Sequence, residues 1–82
     1  MIKIFGYENE HEEKLLSLEE MTIQCNVKEL GKIIDFLQMV KDELDIVILE
    51  DGKVGNMHWH YQDWSKTWNN KSADIIFAST DE

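Results

Sequence analysis

Asn26-Val27-Lys28-Glu29-Leu30-Gly31-Lys32-Ile33-Ile34-Asp35-Phe36-Leu37-Gln38-Met39-Val40-Lys41-Asp42-Glu43-Leu44 is the stretch in which apolar residues recur every three or four positions. Asn26 stands where a helix needs an amino-terminal cap, and Glu29, three residues on, completes the pattern of a capping box. The spacing predicts a helix over residues 27–44. At about 100° per residue, Leu30, Ile33, Ile34, Leu37, Val40 and Leu44 share one stripe. Such a stripe must lie on something apolar, and the strand-like segments on either side make a sheet the expected support. Gly31 costs about 1 kcal/mol relative to alanine inside a helix, and it flanks the stripe, where a missing side chain would allow a close approach to that sheet. Met39 projects to the opposite side, among Lys28, Lys32 and Asp35.

Beyond the helix, Ile46-Val47-Ile48-Leu49 is a continuous apolar run that reads as a strand, and Asp51-Gly52 reads as a tight turn. Residues 53–62 would be the hairpin partner. Asn69 to Ser72 makes a further turn, and Ala73-Asp74-Ile75-Ile76-Phe77-Ala78 a last strand. On the amino-terminal side, Ile2 to Tyr7 reads as a first strand, and Glu8 to Glu13, without an apolar residue, as a solvated loop carrying a surface His11. From Leu15 to Asn26 the pattern is again strand-like. Its phase slips at Glu19-Glu20, as at a bulge, and Cys25 reads as a small core residue. The expected fold is α+β: a single domain over residues 1–82, with a mainly antiparallel four- or five-stranded sheet and one long helix packed on one face.

Charge narrows the function classes. The 82 residues carry 17 Asp and Glu against eight basic residues, a formal net charge of −9, and every basic residue is lysine. Arginine supplies the bidentate contacts to phosphate and guanine, and the field of this chain repels polyanions, so direct nucleic-acid binding is not expected. A basic partner would be drawn in instead. The bland reading is that acidity serves solubility alone. A lone cysteine, an amino terminus that does not read as a secretion signal, and the lack of any apolar run near the roughly 18 residues a bilayer demands give the expectation of a cytoplasmic protein with no membrane contact. Asp42, Glu43 and Asp45 crowd the predicted carboxyl end of the helix, where the macrodipole disfavours negative charge. They are either simply hydrated or there to meet a cationic partner.

Two of the three histidines and all three tryptophans fall in one stretch, from His58 to Trp68. Read as a strand, it places His58, His60 and Gln62 on one face and Trp59, Tyr61 and Asp63 on the other. His58 and His60 have the spacing of two metal ligands, but Asp63 could join them only if the strand breaks at Gln62. There is no glycine-rich phosphate loop, nucleophile elbow or paired-cysteine motif, so neither catalytic residues nor a cofactor are expected. Trp59, Tyr61, Trp64 and Trp68 are amphipathic anchors of the kind enriched in binding hot spots. Trp64 and Trp68 are four apart, the spacing of one helical face, and at least one of them is expected to be mainly buried. The candidate partner-binding set is His58, Trp59, His60, Tyr61, Asp63 and Trp64, with Asp42 and Asp45.

Three stretches together resemble a known family. Leu16-Ser17-Leu18-Glu19-Glu20-Met21-Thr22-Ile23 is similar to its leucine-rich strand with an acidic step, and Glu29-Leu30 through Asp35-Phe36-Leu37 to its helix. His58-Trp59-His60-Tyr61-Gln62-Asp63-Trp64, followed by Trp68 and Asp74-Ile75-Ile76, is similar to its carboxyl-terminal signature. The family is that of the small immunity proteins of bacterial polymorphic toxin systems known as immunity protein thirty-two, and the resemblance runs from about Leu16 to Ala78. Tyr61 and Gln62 depart from it, standing where an aliphatic and a basic residue are expected. The resemblance implies a cytoplasmic antidote that binds a cognate toxin and covers its active site. Two other classes remain open: a small metal-binding protein or metal-dependent enzyme using His58 and His60, and a homodimer joined through a sheet edge or the aromatic patch.

Overall fold

A computed structural model describes residues 1–81. In chain order the elements are β1 (Ile4–Glu8), β2 (His11–Leu18), α1 (Val27–Asp51), β3 (His58–His60), α2 (Tyr61–Trp64) and β4 (Ile76–Ala78). The class is α+β, but the single four- or five-stranded sheet is not formed. Instead β1 pairs with β2 and β3 with β4, giving two separate two-stranded antiparallel sheets.

The amino-terminal hairpin aligns Ile4 with Leu18, Phe5 with Ser17 and Gly6 with Leu16, and its register then shifts before Glu8 meets His11. The polar segment expected as a loop is therefore the closed end of a hairpin. Backbone pairing holds it, and side-chain pattern does not report backbone pairing. Glu10 supplies the turn at φ 65°, a left-handed conformation that costs a residue with a Cβ roughly 1 kcal/mol. At Gly6 an added Cβ would sit 3.2 Å from Leu18 Cδ1, so the missing side chain makes room for the leucine. β2 ends at Leu18, and the phase slip at Glu19-Glu20 is the end of the strand rather than a bulge. Met21, Ile23 and Cys25 are exposed in the segment leading to the helix, which removes Cys25 from the core.

The helix begins as its sequence dictates. Asn26 Oδ1 accepts from the Glu29 N–H at 2.8 Å, and Glu29 Oε1 accepts from the Asn26 N–H at 2.9 Å. It does not stop near Leu44 but runs through Ile46-Val47-Ile48-Leu49 to Asp51, so the expected third strand and its tight turn are absent. A four-residue apolar run is ambiguous between strand and helix. With no breaker after Leu44, extending a helix already formed adds one hydrogen bond for each residue fixed. Gly52, at φ 80°, ends it as a left-handed cap whose N–H donates to the Ile48 carbonyl at 2.8 Å.

The buried face is turned from the predicted stripe. Ile33, Phe36 and Val40 are 8%, 0% and 2% exposed, and Leu44 and Val47 continue the line half-buried. Leu30, Ile34 and Leu37 lie on an uncovered flank, Ile34 with 56% of its surface exposed. The covering layer is α2, whose Tyr61 and Trp64 pack on Phe36, with β3 tied to the helix through Trp59 and β4 paired to β3. His58 pairs with Ala78, Trp59 with Phe77 and His60 with Ile76, and the ladder extends through Tyr61 N–H to the Ile75 carbonyl and Ser79 N–H to the Met57 carbonyl, each 2.8 Å. This layer is too narrow to cover an apolar arc as wide as the helix presents. The molecule measures 39 × 29 × 19 Å with a radius of gyration of 14.1 Å, above the roughly 12 Å of a compact chain this long. The 25-residue helix, at about 1.5 Å per residue, is nearly as long as the molecule's longest dimension.

Phe36 fills the centre of this small core, and its replacement by alanine is expected to cost about 3–5 kcal/mol, enough to unfold a domain of this size. In urea titrations of the two variants, Leu49→Ala, at a residue 85% exposed, should change stability by less than about 0.5 kcal/mol. A Cβ at Gly31 would meet nothing within 4 Å, which corrects the expected close approach to a sheet. Gly31→Ala is accordingly expected to raise stability by roughly 0.5–1 kcal/mol in thermal unfolding.

Candidate functional site

The strand expected over residues 53–62 is only three residues long and breaks after His60, where α2 makes a single turn from Tyr61 to Trp64. That break decides the site. Alternation along a longer strand would have sent Asp63 away from the histidines; the turn swings it back, and Asp63 now lines one open groove with His58 and His60. Trp59 and Trp64 form further walls, and Phe36 and Met39 contribute from α1. The groove encloses about 350 Å³.

Each wall is tethered. His60 Nδ1 lies 2.8 Å from Asp74 Oδ2, while Asp74 Oδ1 accepts from the Gln62 and Ile75 N–H groups, both at 2.9 Å. One carboxylate thus holds the corner between strand and turn. The Trp59 indole N–H donates to Glu43 Oε2 at 2.8 Å, fastening β3 to the helix. Tyr61 sets its ring edge-on to Phe36, with centroids 5.4 Å apart, and Trp64 lies 5.6 Å from Phe36, tilted by 53°. Trp68 is not aligned with Trp64 on one helical face, because the turn ends at Ser65 in an extended conformation; its indole donates instead to the Ala73 carbonyl at 3.2 Å. Trp64 keeps 36% of its surface exposed and Trp68 is half-buried.

The other predicted residues fall outside the groove. Tyr61 is half-buried under Phe36, and Asp42 and Asp45 are exposed on α1. They stand within the helix rather than at its end, so the expected conflict with the macrodipole at this point does not arise. Asp42 accepts from Gln38 Nε2 at 2.9 Å, and Asp45 pairs with Lys41 at 2.7 Å. Met39 and Phe36, from the helix, and Asp74, from the approach to β4, were not among the predicted site residues. Met39 was legible as the one apolar residue on a charged face. The contact of Asp74 with His60 spans fourteen positions and leaves no local pattern.

The two imidazoles on β3 stand edge to face with ring centroids 5.5 Å apart, and His60 Nδ1 is already engaged. Among the described residues, no three of the His, Cys, Asp and Glu side chains stand together as a metal site requires. The Asp63 carboxylate has no hydrogen-bond or ion-pair partner among the described residues, so the groove carries one acidic group free to meet a guest. No helix of the described residues is long and apolar enough to cross a membrane. No protein-family model matches the chain, nor does any curated protein or solved structure.

A second carboxylate anchors the approach to β3. Asp81 Oδ1 accepts from the Val54 N–H at 2.7 Å and the Gly55 N–H at 2.9 Å. The Gly55 and Val54 N–H groups, with Lys53 nearby, hold the Asp81 carboxyl below the ordinary aspartate range. Because the folded value is the lower one, the stabilisation is present above the unfolded pKa and lost as pH falls through the folded one. Asp81→Asn is therefore expected to lower the melting temperature at neutral pH, with the difference from the parent vanishing once both are acidified below that range. A difference that persists unchanged in acid would exclude this role.

Proposed function

We propose that this chain is a small immunity protein that binds a cognate basic toxin domain and neutralises it by covering its active site. The observation that carries the reading is an open groove, walled by indole and imidazole rings and holding an unpaired carboxylate, on a chain of net charge −9 with no arginine. Large aromatic side chains that are partly exposed yet held in place lose little conformational entropy on binding. Their acidic setting favours a cationic partner and repels a polyanion. Asp35 and Asp42 lie four residues before and three after Met39, on the same helical face beside the groove, whereas Asp45 is paired with Lys41 on the far side of the helix from Phe36. A toxin that acts on nucleic acid presents a basic surface of the matching kind, which makes a nuclease the favoured partner class. The resemblance of the His58 to Trp64 signature to the immunity-protein family agrees with this reading.

Two kinds of contact should separate in the kinetics. Trp64→Ala is expected to weaken binding to the toxin domain encoded beside this chain by about 2 kcal/mol, roughly thirtyfold, through faster dissociation, with circular dichroism reading the folded fraction because Trp64 also packs on Phe36. The double change Asp42→Asn with Asp45→Asn is expected to act mainly on the association rate and to flatten its salt dependence. Surface plasmon resonance at two ionic strengths reads both. A neighbouring basic toxin domain that shows no binding, or binding indifferent to salt, would remove the proposal.

A further inference from the structure

Resting on the proposal that the partner is a basic protein, we infer that the groove between α1 and α2 receives a single arginine side chain of that partner, whose guanidinium stacks on Trp64 and pairs with Asp63. Three observations select this guest. The Asp63 carboxylate is the only acid lining the groove and has no partner among the described residues, so an anionic guest is repelled and a cationic one gains an ion pair. The walls are ring faces and edges: Phe36 at the floor, Trp64 tilted over it with centroids 5.6 Å apart, and Trp59 fixed by its bond to Glu43. Aromatic faces attract cations through the ring quadrupole, and a planar, weakly hydrated guanidinium stacks on them where an ammonium cannot. The polar atoms also favour a donor-rich guest. Nδ1 of His60 is engaged by the Asp74 carboxylate and the Trp59 indole N–H is spent on Glu43, so neither of these is offered to a guest as a donor. A guanidinium brings five donors and no acceptor. The opening of about 350 Å³ admits one such side chain but not a folded segment.

The test uses the whole chain and a defined probe, N-acetyl-arginine-N-methylamide, followed by two-dimensional NMR. Its neutral isostere, the corresponding citrulline derivative, is the control for shape. The expected result is saturable binding of the arginine probe in the millimolar range, with shifts centred on the Trp64 indole, Trp59 and His58, and at least tenfold weaker binding of the citrulline probe. Asp63→Asn should abolish the preference for arginine while leaving the remaining amide spectrum, and thus the fold, unchanged. Equal binding of the two probes, shifts that centre elsewhere, or an Asp63→Asn protein that still prefers arginine would each overturn the inference. The two levels of proposal fail separately. If the toxin domain binds the parent and the Asp63→Asn protein with equal affinity, the arginine assignment falls and the immunity reading stands. If the arginine probe binds as expected and no basic toxin domain does, the groove assignment stands and the immunity reading falls.

Discussion

Phe36 is where the helix and the carboxyl-terminal layer meet, and it is the one aromatic ring in the chain with no solvent exposure. It sits between Tyr61, edge-on, and Trp64, tilted, so a single side chain of α1 fixes the position of the turn that follows β3. Nothing else of comparable size is buried: Ile33 and Val40 extend the contact along the helix, and the rest of the apolar arc is uncovered. Full burial of a phenylalanine contributes roughly 2–3 kcal/mol, a large share of the net stability of a domain this small. The amino-terminal hairpin packs chiefly on itself. The geometry of the groove therefore depends on the Phe36 cluster together with the Asp74 and Glu43 hydrogen bonds that hold His60 and Trp59.

Negative charge in this chain has two separate uses. Asp74, Glu43 and Asp81 are structural acceptors: one holds the His60 corner, one ties Trp59 to the helix, and one gathers the Val54 and Gly55 amides. Such bonds join segments far apart in sequence, and hydrogen bonds to an ionised acceptor contribute more than neutral ones. Asp63, by contrast, faces the groove with no partner among the described residues, and Asp35 and Asp42 flank it on the helix. The formal charge of −9 is thus no uniform halo. Part of it is spent inside the scaffold, and the part near the groove remains available to a cation.

The helix start was readable because it is local: Asn26 and Glu29 are three residues apart and bond to each other. The helix end was not, because Ile46-Val47-Ile48-Leu49 satisfies the pattern of a buried strand as well as that of a helix continuing past Leu44. Which flank of the helix is covered was equally hidden. The chain offers an apolar arc from Leu30 and Ile34 round to Phe36, wider than the layer that packs on it, and only the position of Tyr61 and Trp64 selects the Phe36 side. The single sheet fails to form for a related reason. Period-two alternation marks extended segments but not their partners, and the segment from Met21 to Cys25 stays unpaired and exposed despite its strand-like phase. At the groove, His58, Trp59, His60, Asp63 and Trp64 were all in view as a cluster. Their convergence required the break after His60, which is held by Asp74 from a distant part of the chain.

A core this thin makes scaffold and site share residues, and the overlap has a direction. Phe36 and Trp64 line the groove and also hold the layers together, so changes there alter fold and recognition at once. Asp63 and His58 line the same groove from exposed positions, and neither contributes to the Phe36 contact. Sequence can therefore vary at Asp63 and His58 with little effect on stability, while the indole and phenyl platform beneath them stays fixed. If the groove receives a partner as proposed, its choice of guest would be set by a few polar groups placed on an aromatic floor that also holds the fold. Such a surface can be retuned to a different guest without rebuilding the domain that carries it.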